Sequence, residues 1–317
     1  MSVYTAIEPE ELADFLRAYD VGAPVRYEGI PDGIENTNYF VDTERGRYVL
    51  TLFEWLPEQD LPYFLELMAF LAERGIPCAH PVADRAGRYL RHLKGKPAAL
   101  VQRLEGHSVR APGAAHCRAI GEALARMHLA GRGFPRERAN DRGPRWWRAT
   151  AARLRPHLAA EDRELLEAEL AFQARHRHDA LPRGVVHADL FRDNALFVGE
   201  RLTGIIDFYY ACNDVLLYDV AVTVNDWCSD AAGRLEPART RALVGAYEAV
   251  RPLGAAEREA WPVMLRAAAL RFWLSRLHDL HFPRPGEITH TKDPEVFRRI
   301  LLDRIAGQER LRAVLSA

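Results

Sequence analysis

No apolar run in the sequence reaches membrane-spanning length, and no C-x-x-C pair occurs. The first absence excludes a transmembrane helix, and the second argues against structural zinc. Only four cysteines, Cys78, Cys117, Cys212 and Cys228, are scattered over 317 residues. They point to a reducing compartment rather than a disulfide framework. An excess of either charge is also missing: Lys+Arg 43 against Asp+Glu 44 gives a net charge of −1. Nothing therefore suggests a nucleic-acid partner or an anionic membrane surface. Repeats and low-complexity tracts are absent, and the opening MSVYTAIEPEEL lacks a basic segment followed by an apolar run. These features lead us to expect a cytoplasmic globular protein.

What is present is 48% hydrophobic residues over a length sufficient for two domains. Residues 8–19 place Leu12, Phe15, Leu16 and Tyr19 on one helical face. Strand-like pieces follow at 25–28, 37–42 and 47–53, with a hairpin turn at Thr43–Gly46. An amphipathic helix at 61–74 is closed by Gly75. Further strands are expected at 80–83, 88–92 and 98–104. From there the pattern is helical at 115–129, 146–156, 161–175, 217–227, 238–250, 255–281 and 294–305. Strands first and helices afterwards indicate an α+β protein with two lobes, 1–104 and 105–317.

The stretch from Gly184 to Phe208 breaks this helical half. An apolar strand end (Val185, Val186) leads into a polar loop, His187 to Asn194. Two short strands, 195–198 and 202–206, then turn at Gly199-Glu200 and deliver Asp207. The loop has H-x-D-x-x-x-x-N spacing, and Asp207-Phe208 follows it. In the kinase template such an Asp accepts the proton of a substrate hydroxyl, while the Asn and a later Asp hold Mg²⁺. On this reading Asp189 is the catalytic residue, and Asn194 and Asp207 are the metal ligands. Hard oxygen donors suit Mg²⁺.

Other segments supply candidates for the nucleotide. In GIPDGIENTN (29–38) the glycines, Gly33 among them, permit close backbone approach to a phosphate, and Asn36, Thr37 and Asn38 add donors. Glu66 reads equally as a brace for a nucleotide-binding cation or as a solvated helix position. Tyr209, Tyr210, Asn213 and Asp214 follow the metal Asp, and Asp226-Trp227 ends the next helix. Arg271 and Arg276 lie on a late helix. Being five apart, the two arginines occupy different faces, so at most one is expected to face a pocket. Asp219 reads as structural.

The chain resembles the aminoglycoside phosphotransferase-like kinases, a small-molecule branch of the protein-kinase-like fold. Within that branch it is most similar to the kinase-like group of bacterial homoserine kinases. The resemblance is carried by ENTNYFVDT (35–43), GRYVLTLFE (46–54), LAERGIPCAHPVAD (71–84), VVHADLFRDN (185–194), GIIDFYYACND (204–214), YDVAVTVNDWC (218–228) and ALRFWLSRLHDLH (269–281). It implies a protein-kinase-like two-lobed fold with an antiparallel-sheet N-lobe and a mainly helical C-lobe. It also implies ATP and Mg²⁺ bound in a cleft between the lobes, and transfer of the γ-phosphoryl group to a hydroxyl. The fold further places the backbone of Gln102 to Leu104 at the adenine edge. The implied small-molecule substrate is L-homoserine, for which Tyr209, Asp226, Trp227, Arg271 and Arg276 are the candidate contacts. An arginine would suit the carboxylate and an aspartate the ammonium. The chain is expected to act as a monomer or weak homo-oligomer.

One departure stands out. The third strand reads Tyr48-Val49-Leu50-Thr51-Leu52-Phe53, so Thr51 occupies the place of the usual lysine. The same chemistry on choline, ethanolamine, a sugar or an aminoglycoside is the alternative. A metal-dependent hydrolase and an ATP-sensing pseudokinase are the readings from other classes.

Overall fold

The computed structural model describes residues 4–31, 36–176, 180–283 and 292–314. The chain divides into two compact units, Met1–Gly106 with Thr203–Ile206, and His107–Leu202 with Asp207–Ala317.

The first unit is built on an antiparallel five-stranded sheet in the order β1-β2-β3-β5-β4: β1 (Pro24–Gly29), β2 (Asn36–Thr43), β3 (Gly46–Phe53), β4 (Arg91–Leu93) and β5 (Lys96–Gln102). Alternation along β2 and β3 sorts their side chains onto two faces. Tyr39, Val41, Leu50 and Leu52 pack into one core with Leu12, Phe15 and Leu16 of helix α1 (Pro9–Leu16). Thr37, opposite Leu52 in the register, shares that face, whereas Asn36, Asn38 and Thr51 point to the other. Helix α2 (Leu61–Ala72) ends before Gly75, whose φ of +76° suits the left-handed turn that stops a helix. The expected strand at 80–83 is not one. Pro81 makes an isolated bridge to Val101, flanked by hydrogen bonds from Val82 N–H to Leu100 and from Gln102 N–H to His80. The expected strand at 88–92 begins only at Arg91.

The second unit is mostly helical: α3 (Ala114–Gly131), α4 (Pro144–Leu154), α5 (Ala160–Arg175), α6 (Leu216–Trp227), α7 (Pro237–Val250), α8 (Ala255–His281), α9 (Glu295–Ala306) and α10 (Gln308–Val314). Strands β6 (Arg183–Val186) and β9 (Cys212–Val215) pair antiparallel, and β7 (Ala195–Val198) forms a hairpin with β8 (Arg201–Ile205). The strand end expected at Val185 and Val186 belongs to β6, and its partner β9 is the strand that the sequence reading lacks. Trp227, Trp261, Trp273, Tyr247 and Phe297 are wholly buried. At Gly121 a methyl group would meet the Leu243 carbonyl oxygen at 2.1 Å, so α3 and α7 approach as closely as they do only because that side chain is missing. Every residue of α6 is buried. This core helix supplies the side chains that fix the loop after β6.

Candidate active site

The loop leaves β6 through an abrupt turn in which Ala188 has φ +62°. That left-handed conformation is strained for a non-glycine residue and persists only where the surroundings enforce it. Here Asp219 enforces it. Its carboxylate accepts hydrogen bonds from the backbone N–H of His187 (2.7 Å) and of Ala188 (2.8 Å). His128 Nε2 lies 3.0 Å from the same carboxylate, and Asp219 is wholly buried. Behind it, His128 Nδ1 is 2.7 Å from the Tyr247 hydroxyl, which accepts from Arg251, and Arg251 pairs with Glu257 at 2.9 Å. The buried carboxylate holds both backbone amides in place. The expectation that Asp219 is structural agrees with this geometry. The part played by His128 escaped sequence reasoning. Its only signal was a polar residue on the apolar stripe formed by Leu124 and Met127.

Asp189 follows this turn. Its backbone carbonyl accepts from Phe191 N–H (2.7 Å) and from Asn194 Nδ2 (2.8 Å), and its Oδ2 lies 3.2 Å from the same amide nitrogen. Arg271 Nη1 stands 3.6 Å from Oδ1. The loop thus brings Asp189 and Asn194 together as their spacing anticipates, with Arg271 beside them. His187, wholly buried, packs its ring 4.7 Å from that of Phe208. Asp207, just before Phe208, is exposed and left-handed at φ +63°, ψ +58°. It is a second strained non-glycine residue in this unit.

Asn194 and Asp207 suit a hard divalent cation. The amide nitrogen of Asn194 is spent on Asp189, which turns its planar oxygen the other way. Among the described residues no group of three or more His, Cys, Asp or Glu could hold a metal ion. A closed protein cage is therefore absent there. An amide oxygen and one carboxylate match Mg²⁺, which takes few protein ligands and completes its shell with water and phosphate.

The acceptor candidates separate. Asp226 is committed to Arg192, accepting from its N–H (2.8 Å), Nε (3.0 Å) and Nη2 (3.3 Å). Trp227 is wholly buried and donates its indole N–H to the Leu190 carbonyl at 3.0 Å. Both brace the loop from behind instead of presenting themselves to an acceptor, which corrects the expectation for this pair. Asp214 likewise accepts from Asn140 (2.7 Å) and pairs with Arg183 (3.0 Å). Arg276 donates to the Asp293 carbonyl (2.8 Å), and burial lowers its pKa below the usual value while Asp226, Asp193, Asp293 and Asp189 draw it back. Arg271 is the arginine that faces Asp189. Its guanidinium lies 4.9 Å from the Tyr210 ring centroid and 3.7 Å from that of Phe272. Tyr209, half-buried, follows Asp207 in the same short turn.

In the first unit Gly33 lies outside the described residues. Asn36, Thr37 and Asn38 belong to β2 rather than to a loop. Thr37 faces the α1 core and donates to Glu54 at 2.6 Å, so its hydroxyl is structural; the alternation of the strand turns it from the nucleotide-facing position expected. Asn38 Oδ1 accepts from the Thr51 hydroxyl at 2.7 Å. Gln102 N–H donates to His80 and Arg103 N–H to Arg47, leaving Leu104 N–H as the one donor of the three not taken by a backbone bond among the described residues. Glu66 is half-buried on α2.

A strained loop presenting an aspartate beside an asparagine amide, followed by a second aspartate, has the construction of a phosphotransferase. The profile of the phosphotransferase enzyme family matches residues 26–253, and the chain belongs to that family. It is 55% identical to a homoserine kinase of Methylobacillus flagellatus, over 99% of this chain and 98% of that protein. It is 54% identical to a homoserine kinase of Methylobacillus glycogenes, over 98% of each. Among solved structures it is similar to an amicoumacin kinase in complex with AMP-PNP and Ca²⁺, with a TM-score of 0.70 at 15% identity over 96% of this chain and 94% of the other. The fold is accordingly the kinase-like α+β fold. Among the described residues no helix is long and apolar enough to cross a membrane.

Proposed function

We propose that the chain is an ATP-dependent kinase that phosphorylates the side-chain hydroxyl of L-homoserine to O-phospho-L-homoserine. The observation that carries this is near-full-length identity above one half with homoserine kinases, in a chain whose Asp189 loop is intact. Asp189 orients the acceptor hydroxyl and takes its proton as the oxygen attacks the γ-phosphorus. The new O–P bond forms as the bond to the β-phosphate oxygen breaks, and ADP leaves. Phosphoryl transfer of this kind depends mainly on positioning and charge neutralisation. Arg271, 3.6 Å from Asp189, adds fixed positive charge beside the base. Asn194 and Asp207 would hold Mg²⁺, which neutralises phosphate charge when bound. The side chains of Asn36 and Asn38, on the sheet face opposite the α1 core, with the backbone of Leu104, are the nucleotide contacts we assign in the first unit. Four free thiols, all buried, suit a cytoplasmic setting.

The test is ADP release with Mg·ATP against a panel of L-homoserine, D-homoserine, L-serine, choline, ethanolamine and kanamycin. Selective turnover of L-homoserine is the expected result. Turnover of another acceptor with none on homoserine would keep the phosphotransfer and discard the substrate.

A further inference from the structure

The Asp189 loop is also held through its own side chains. Phe191 is buried, although loop residues usually lie on the surface. Its ring centroid is 4.4 Å from that of Phe272 on α8 and 5.7 Å from that of Phe297 on α9, with the Phe297 ring nearly parallel to it. Phe272 and Phe297 close the triangle at 5.1 Å. Rings at such spacings attract one another beyond the area they bury. At the same cluster Lys292 donates to Asp193 Oδ2 at 2.5 Å and stands 5.5 Å from the Phe191 ring centroid. The main chain of Phe191 meets both candidate residues of the loop. Its N–H donates to the Asp189 carbonyl (2.7 Å), and its carbonyl accepts from Asn194 N–H (3.0 Å). Phe272, Lys292 and Phe297 lie beyond residue 253, where the match to the family ends, and within the near-full-length match to the homoserine kinases.

We propose that Phe297 and Lys292 are positioning residues for phosphoryl transfer: with Phe272 they hold Phe191 and Asp193, and thereby set where Asp189 and Asn194 stand. This rests on the function proposed above. Asp219 fixes the amides of His187 and Ala188, before Asp189, and the rings fix Phe191, after it. The loop is thus held on both sides of Asp189. A side chain that only fills space affects stability alone, whereas Phe191 passes any shift of its ring to Asp189 and Asn194 through two backbone bonds. A displacement of about 1 Å at a reacting group costs about 100-fold in rate, so small movements of this ring matter. The two partners act differently. Phe297 is buried and works by packing, while the Lys292–Asp193 pair is about half exposed on both sides and adds little to stability.

The experiment compares Phe191→Leu, Phe297→Leu and the double variant, reading kcat per folded enzyme, the KM for L-homoserine and stability in denaturant. Each single variant should lower kcat about 10- to 100-fold with the KM within about threefold. The double variant should be no slower than the slower single one, because both changes act through the same ring. Parent kcat in the folded variants, however much stability they lose, would make the rings mere filling and overturn the proposal. Losses that multiply in the double variant would overturn it too. Lys292→Met, at an exposed position, keeps the proposal testable should the ring variants fail to fold. It should lower kcat about 2- to 5-fold with stability kept, and Lys292→Arg should restore the parent rate. Parent kcat in Lys292→Met, or no rescue by arginine, overturns the role of Lys292. Absence of homoserine turnover in the unaltered enzyme would instead refute the acceptor proposed above, a distinct outcome read before any variant is made.

Discussion

The second unit holds its loop through Asp219, whose partners are two backbone amides and a buried imidazole. The first unit holds its N-terminal segment through Glu54, which accepts from Thr5 (2.8 Å), Thr37 (2.6 Å) and Lys96. Both carboxylates are shielded and both are surrounded by donors. What differs is what the donors belong to. Asp219 fixes a main-chain turn that leads into Asp189, and none of its partners has access to water. Glu54 gathers side chains around the end of β3, and one of them, Lys96, is about a third exposed and able to resolvate. The same chemistry thus fixes a strained main-chain turn in one unit and gathers side chains in the other.

Replacing Asp219 is the sharpest way to break that comparison. Asp219→Ala leaves two amides and an imidazole buried without an acceptor, so it should cost about 3–5 kcal/mol in denaturant unfolding. Turnover should fall with it, since Ala188 has no other reason to remain left-handed. Glu54→Ala should cost less, about 1–3 kcal/mol, and leave kcat within about twofold. Equal losses of turnover in the two variants would erase the distinction.

The smallest effect is a pH dependence. Burial alone raises the Glu54 pKa; hydrogen bonds from Lys96, Thr37 and Thr5 outweigh it and leave the carboxyl below its ordinary value. The folded pKa is depressed, so its contribution to stability is complete above the unfolded value of about 4.3 and is lost as the pH falls through the folded one. Between about pH 6 and about pH 3 the parent should lose more stability than Glu54→Gln. Parallel curves would show that Glu54 does not titrate with folding.

The two devices also differ in how far they could be read beforehand. Asp189, Asn194 and Asp207 lie within some twenty residues of chain, so a loop and a hairpin put them in one local pattern, and the structure joins Asp189 to Asn194. Asp219 is 32 residues from the amide it holds and His128 is 91 residues from Asp219, so no local pattern connects them. Asp226 and Trp227 were placed near the right loop but on the wrong side of it, because a fully buried helix such as α6 has no polar face to indicate direction. Thr37 was misdirected by a register of one: its neighbours Asn36 and Asn38 face the opposite side of the sheet. The choice between Arg271 and Arg276 could be framed by helical period, yet only the packing of α8 decides it.

The proposed role of Asp189 as the base for phosphoryl transfer to homoserine is tested most directly by Asp189→Asn. Single-turnover transfer from γ-labelled Mg·ATP to L-homoserine should slow by about 10²–10⁴-fold or more, with nucleotide affinity and folded stability kept. Transfer at the parent rate in a variant that binds nucleotide normally would contradict the role of Asp189 and the mechanism built on it.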